Sequence, residues 1–134
     1  MIIQLANDAN GVLDAGALAI TTSAAGSVAY VDLGTEWDRS AVMVAQLGIT
    51  AIDSTTGDED YTLAIQTSDT TAFTVVRGSA SLNILSVAAS DLSPSLEHII
   101  FKPEGRYCRL YCTNAGTSPS ITFGNKVMLG NLGN

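Results

Sequence analysis

The feature that most constrains this chain is an alternation of apolar and polar residues with a period of two. The clearest example is residues 60–67, where Tyr61, Leu63 and Ile65 alternate with polar or small residues. Successive side chains of a β-strand point to opposite faces, so this pattern predicts strands with one buried face. No window of about a dozen residues keeps apolar groups at helical spacing. The chain is therefore predicted to be all-β, with little or no helix.

Turn-forming clusters rich in Gly, Pro, Asn, Asp and Ser divide this pattern at intervals of about 8–12 residues, the spacing of an antiparallel β-sandwich or a small barrel. We predict about eight strands in residues 18–22, 27–33, 41–51, 60–67, 72–77, 81–87, 96–101 and 106–113, and residues 121–129 are expected to close the sheet. The length of 134 residues fits one domain. Residues 1–13 are expected to form an N-terminal arm, and residues 129–134 a flexible tail.

Acidic charge is concentrated in the first part of the chain. The formal net charge is −7; residues 1–75 contain ten acidic residues and one basic, and residues 76–134 contain three acidic and five basic. An acidic chain repels phosphate, so no nucleic-acid partner is expected. No apolar run approaches the ~20 residues of a membrane span, so no membrane partner is expected either. The asymmetry fits a partner of opposite sign at one end, or loops that solubilise the surface.

The residues that usually carry out acid–base or nucleophilic catalysis are scarce. His98 is the single histidine, and its apolar strand neighbours favour a structural role. The sequence contains neither a phosphate-binding loop nor a dinucleotide-binding fingerprint. We therefore expect no catalytic residues, no cofactor and no enzymatic activity.

The densest acidic cluster lies in the turn at residues 53–60 and contains Asp53, Asp58, Glu59 and Asp60. Calcium takes oxygen ligands from loops of this kind. The calcium-loop pattern is absent, however, and acidic hairpin tips also serve solubility. We expect no metal site here, although the sequence leaves cation binding by this loop open.

Two cysteines, Cys108 and Cys112, lie in one predicted strand. Four residues of extended chain separate their Cα atoms by about 13 Å. A disulfide needs Cα atoms within about 7 Å, so the two cannot be joined within the strand. They share a face with Leu110, which predicts two small residues in the core.

Trp37 lies in the polar segment 34–39 and is the aromatic side chain that best fits an exposed platform for a sugar ring. The other interpretation is a tryptophan that covers the end of the sandwich. The alternative function is accordingly a ligand- or glycan-binding β-sandwich module of a virion fibre or adhesin.

The order of features resembles a known family. An Ala/Thr-rich first strand at residues 17–22 is followed by a strand that ends in the sequence at 31–35, then by a long apolar strand and a Thr/Asp-rich hairpin. A Pro-Glu-Gly turn at 103–105 precedes the late strand at 106–111. In this order the chain resembles the jelly-roll cement, or decoration, proteins of tailed double-stranded DNA bacteriophages.

The resemblance implies an antiparallel β-sandwich of jelly-roll type and a structural role in the virion. Such a protein binds the capsid exterior and joins adjacent major capsid proteins, which are its partners together with further copies of itself in a homodimer or homotrimer. Assembly would take place in the host cytoplasm, in agreement with an N-terminus that lacks the features of a secretory signal. Contacts are expected from apolar residues of the arm and from a basic end of the fold: Ile2, Ile3, Leu5, Lys102, Arg106 and Arg109.

Overall fold

The computed structural model describes residues 12–14, 16, 19–26, 28–34, 42–85, 95–123 and 127–133. This part of the chain consists of strands, turns and loops, and it includes no helix long and apolar enough to cross a membrane. Eleven strands are present in it. In chain order they are β1 (Val12–Asp14), β2 (Ala19–Ile20), β3 (Ala24–Ala25), β4 (Val31–Asp32), β5 (Val42–Ile52), β6 (Asp60–Ser68), β7 (Gly78–Leu85), β8 (Ser95–Phe101), β9 (Tyr107–Ala115), β10 (Ile121–Phe123) and β11 (Val127–Gly133).

The first sheet is built around β5. This strand pairs with β8 along one edge and with β10 and β11, one after the other, along its opposite edge. Beyond these, β2 pairs with β10 and β1 pairs with β11. All of these pairs are antiparallel, so the sheet has the order β1/β2, β11/β10, β5, β8.

The second sheet is built around β6 and β9, which pair along their whole length. On its other edge β9 pairs with the short strands β3 and β4, and β6 pairs with β7. The order is therefore β3/β4, β9, β6, β7, again antiparallel throughout.

Counting each interrupted strand once leaves four strand positions in each sheet. Among the described strands, only β6 and β7 are joined directly within one sheet as a hairpin; the other connections between positions cross from one sheet to the other. Two four-stranded sheets connected in this way form a jelly roll. The predicted antiparallel β-sandwich of jelly-roll type, with about eight strands, is confirmed.

The core lies between the two sheets and is formed by alternate residues of the long strands. The fully buried side chains include Met43, Leu47 and Ile49 from β5, Tyr61, Leu63 and Ile65 from β6, Cys108, Leu110 and Cys112 from β9, and Ile121 and Phe123 from β10. These are the faces that the period-two pattern predicts for β5, β6 and β9. Burying one side chain of this size contributes about 1.5–3 kcal/mol, so this layer is the main source of stability.

The predicted strand at residues 72–77 is wrong. Residues 69–77 form a loop, and β7 begins at Gly78, where a turn was expected. Phe73 has a φ of +53°, which is incompatible with an extended strand. The alternation of Phe73 with Val75 imitates a strand, but Phe73 packs outside the core cluster and Val75 is exposed.

The end of the chain also differs from expectation. Residues 121–129 are not one strand, since β10 ends at Phe123 and β11 begins at Val127. The expected flexible tail at 129–134 is incorrect as far as Gly133, because β11 pairs with β5 up to that residue. Glycine and asparagine are poor strand formers, but ladder hydrogen bonds to a central strand hold them here. At the other terminus, β1 takes up the last part of the expected arm at 1–13, and residues 1–11 lie outside the described residues.

One end of the sandwich is closed around the Tyr61 hydroxyl. This group donates a hydrogen bond to the carbonyl oxygen of Asp53 at 2.5 Å and accepts one from the backbone N–H of Ser120 at 3.0 Å. The Asp53 N–H donates to the Ser120 carbonyl at 2.8 Å. The hydroxyl of a core residue therefore joins the loop after β5 to the segment before β10.

The same end depends on a close backbone approach at Gly116. Its φ is +96°, and a Cβ at this position would collide with the carbonyl oxygen of Asp58 and the Cα of Glu59. Gly57 has a similar φ of +89°, with open space where a Cβ would lie. Comparing alanine substitutions at the two glycines therefore separates the free-energy cost of the left-handed backbone conformation from that of the steric collision.

We expect Gly57→Ala to lower the free energy of unfolding by about 1–2 kcal/mol, through backbone strain alone. Gly116→Ala should cost about 1–3 kcal/mol more, because the backbone of the facing loop must move. Urea unfolding of both variants measures the difference. Equal losses would contradict the close approach.

Candidate interaction surface

Arg106 forms an ion pair that joins β4 to the start of β9. Its Nε donates to Asp32 Oδ1 at 2.7 Å and its Nη2 to Asp32 Oδ2 at 2.9 Å, a two-point contact. The Asp32 carboxylate also accepts the Gly34 N–H at 2.8 Å. The Arg106 hydrogen bond is the main reason that the pKa of Asp32 lies below its ordinary value, and the same bond raises the pKa of Arg106. Arg106 is therefore half of an ion pair.

Arg109 lies between two aromatic rings on the outer face of the second sheet. Its guanidinium carbon is 4.3 Å from the ring centroid of Phe73 and 4.9 Å from that of Tyr111. Its Nε donates to the side-chain oxygen of Gln66, its pairing partner on β6, at 2.9 Å. Stacking on both rings fixes the direction of the planar guanidinium group.

The loop at 69–77, here called the cap loop, places Phe73 over Arg109. The Ser68 hydroxyl donates to the Val75 carbonyl at 2.8 Å, and the Arg77 N–H donates to the Thr67 carbonyl at 2.8 Å. An ion pair of 2.9 Å between Arg77 and Asp69 joins the two ends of the loop. Phe73 is 94% buried even though it lies outside the core, because the cap loop folds back onto the sheet.

Tyrosine rings continue this surface toward β4. Tyr30 and Tyr107 meet edge to face, with centroids 5.4 Å apart, and the Arg106 guanidinium lies 5.2 Å from the Tyr107 centroid. Tyr107 and Tyr111 flank Arg109 on one face of β9. We call this surface the aromatic face; it consists of Tyr30, Phe73, Tyr107, Tyr111, Arg106 and Arg109.

The structure brings together only some of the residues that the sequence predicts to contact a partner. Arg106 and Arg109 lie on the aromatic face, whereas Lys102 lines a cleft of about 240 Å³ between β7 and β8, together with Glu104. The apolar contacts expected of Ile2, Ile3 and Leu5, and the platform expected of Trp37, lie outside the described residues. Alternation in β9 puts Tyr107, Arg109 and Tyr111 on the face opposite the two cysteines. The alternation pattern gave no indication that Tyr30 or Phe73 would lie beside these residues.

The acidic turn at 53–60 uses its carboxylates to hold its own backbone. The Asp53 carboxylate accepts hydrogen bonds from the hydroxyl and the N–H of Thr55. The carboxylate of the buried Glu59 accepts hydrogen bonds from the N–H groups of Thr56 and Gly57. Asp58 reaches across to the N–H and hydroxyl of Thr117, at 2.9 and 2.8 Å. In the part of the chain that the structure describes, no three His, Cys, Asp or Glu side chains are grouped to hold a metal ion. These carboxylates account for the ordered turn through local hydrogen bonds.

The cysteines lie in the core, whereas the histidine lies on the surface. Cys108 and Cys112 are buried free thiols, and burial raises the pKa of each to about 12, with the Asp14 carboxylate contributing at Cys112. A thiol with so high a pKa is a poor nucleophile at neutral pH. His98 lies exposed on β8 rather than in the core.

The chain matches no protein-family model, no curated protein and no solved structure.

We expect Arg109→Ala to release the cap loop, because Phe73 then loses its guanidinium partner. The free energy of unfolding should fall by about 1–2 kcal/mol, and amide exchange should accelerate in residues 69–77 while the core strands stay protected. Arg106→Ala is the matched control, since its ion pair lies outside the cap loop. Unchanged exchange in the cap loop of Arg109→Ala would show that the stacked guanidinium does not hold it.

Acid should destabilise the fold through Asp32, Asp53 and Asp58, whose pKa values are lowered from 3.8. For Asp53 the main cause is the Thr55 hydroxyl, and for Asp58 it is the Thr117 N–H. A carboxyl with a lowered pKa in the folded state stabilises above the unfolded pKa and loses that contribution as pH falls through the folded value. Stability should therefore decline as pH falls below 3.8.

Asp58→Asn tests this linkage, because an amide cannot take up the proton. The variant should be less stable than the wild type at neutral pH and should approach it in strong acid, as measured by urea midpoints at both pH values. Thr117→Val, which removes only the hydroxyl donor, should give a smaller effect with the same pH dependence. A constant difference between Asp58→Asn and wild type across pH would contradict the assignment.

Proposed function

We propose that this chain is a structural protein of a virion, a decoration protein that binds the outside of a phage head and joins adjacent major capsid proteins. The observation that carries the proposal is the aromatic face, an ordered surface of tyrosine and arginine side chains on one sheet of a jelly roll, with the buried Phe73 ring packed on Arg109. The sequence resemblance described above supports the choice of the capsid as partner.

The composition of the aromatic face is typical of a protein–protein contact. Tyrosine and arginine are enriched at interface centres, and both are common among the residues whose truncation costs most affinity. Tyr30 is 39% exposed, so its ring is available to a partner. Around it, Tyr107 and Arg109 are held by neighbours within the same chain.

Side chains that are already fixed in the free protein favour stable binding to a partner. Association ordinarily costs about 0.5–1.5 kcal/mol for each long side chain that becomes fixed. Arg106 and Arg109 are already fixed, by Asp32 and by two rings respectively, so most of this cost is met during folding. A protein that joins capsid subunits also gains avidity from contacting more than one of them.

The geometry changes the expected role of the basic residues. The sequence suggested that Lys102, Arg106 and Arg109 present a basic end to an acidic capsid surface. Since Arg106 is neutralised by Asp32, the aromatic face would bind through ring and guanidinium contacts more than through net charge. Binding to heads should accordingly depend only weakly on salt.

The alternative, a glycan-binding module, requires aromatic rings with open faces on which a sugar can stack. A guanidinium group lies over Tyr107 and another over Tyr111. These contacts favour a protein partner over a sugar at this surface.

The test is binding of the purified chain to undecorated phage heads built from the major capsid protein of the same genome. Wild-type protein should co-sediment with the heads, and Tyr30→Ala should lower the affinity at least tenfold, the loss of about 1.4 kcal/mol or more expected at a contact centre.

Ile100→Ala is the matched control, because Ile100 is a 60%-exposed apolar residue on β8, in the other sheet. It should bind like the wild type, and both variants should melt like the wild type. Failure of the wild-type chain to bind heads would overturn the proposal. Loss of binding in Ile100→Ala but not in Tyr30→Ala would assign the contact to the other sheet.

A further inference from the structure

β7 is an edge strand of the second sheet, and its own sequence carries none of the usual protection of an edge, although the Glu104 side chain lies against Gly78 at its start. Within the described residues it pairs with β6 and with no other strand. Its eight residues, Gly78–Leu85, contain no charged residue and no proline. Natural edge strands are commonly protected by a charge, a proline, a bulge or short length, because unpaired backbone groups attract another strand.

The other edges of the sandwich differ in this respect. The edge strand β8 of the first sheet carries Glu97 and His98. At the two remaining edges, β1 has three residues and β2, β3 and β4 have two each. β7 is therefore the long, uncharged edge among the described strands.

Exposed apolar side chains are found at both ends of β7. Val75 and Val76, separated from the strand by Arg77, are 62% and 39% exposed, and Leu85 at its end is 55% exposed. These are three of the five large apolar residues that are exposed in the described part of the chain. An antiparallel copy of β7 places the end of one strand beside the beginning of the other, so Leu85 of each copy would approach the valines of its partner.

We infer that two copies of this chain associate through β7, antiparallel and about a two-fold axis, so that the two four-stranded second sheets form one continuous sheet. Such a contact is isologous, since the same surface serves both partners. The strand suits this arrangement because it has no charge to repel its own copy. The inference does not depend on the proposed function.

The outward side chains of β7 permit a close approach. Continuity of the sheet requires odd-numbered residues to oppose odd-numbered residues, so Ser79, Ser81 and Asn83 would form the shared outer row. The two serines are small. The Asn83 amide is already held, since it donates to the Asp60 carboxylate at 2.7 Å and to the Thr62 hydroxyl at 2.9 Å.

The first experiment measures the mass in solution by light scattering over micromolar concentrations. Wild-type protein should have the mass of two chains. Ser81→Lys should have the mass of one, because two ammonium groups would meet near the axis. Thr113→Lys is the matched control, since Thr113 is an exposed residue of the same face on the interior strand β9, and it should remain dimeric.

A wild-type mass other than two chains would overturn the inference, as would a dimer that persists in Ser81→Lys. Both measurements are made without capsids, so this result and that of the head-binding experiment are independent.

Cross-linking tests the geometry directly. Among Ser79→Cys, Ser81→Cys and Asn83→Cys, at least one should form an intermolecular disulfide under mild oxidation, whereas Thr113→Cys should not. The native Cys108 and Cys112 do not compete, because both are fully enclosed by the core. Absence of cross-linking in all three variants, or equal cross-linking of Thr113→Cys, would overturn the two-fold β7 contact.

Discussion

The pairing of β6 with β9 is the constraint on which the rest of the structure depends. The two strands match residue for residue, from Asp60 opposite Ala115 to Ser68 opposite Tyr107. A shift of one residue would turn every side chain of a strand to the opposite face. The same register thus places the inward residues of both strands in the core and puts Gln66 beside Arg109 on the outer face. The register of β6 with β9 therefore determines both which side chains form the core and which form the aromatic face.

Each end of this ladder is held by contacts between segments far apart in the sequence. At the Asp60 end, the Asp58 carboxylate binds Thr117, and Gly116 lets the two backbones touch. At the Ser68 end, Gly105 passes so close to the Ser68 backbone that a Cβ would collide with it. These contacts fix the register without adding to the apolar core, and they explain why charged and glycine residues concentrate at the turns. The loops are consequently part of the fold rather than attachments to it.

The sequence predicted most of the fold because alternation reports burial directly. The inward faces of β5, β6 and β9 follow from it, and so does the sandwich. The cap loop was missed because Phe73 and Val75 alternate like strand residues. The positive φ of Phe73 cannot be recognised from the alternation of apolar and polar residues. The aromatic face was predicted only where it lies within one strand. Its remaining contacts join distant segments, as the Asp32–Arg106 pair does across 74 positions, and periodicity contains no such information.

The jelly-roll order also determines when the chain can fold. Strand β5, in the first half of the sequence, obtains its two neighbours from β8 and from β10 and β11, which are translated later. A ribosome-bound chain therefore holds an apolar central strand with both edges unpaired until β8 has emerged, and with one edge incompletely paired until residues 127–133 have emerged. Folding dominated by such non-local pairing is slow and leaves strand edges open to aggregation. Synthesis rate and chaperone access should influence the yield of this protein more than the stability of its finished core.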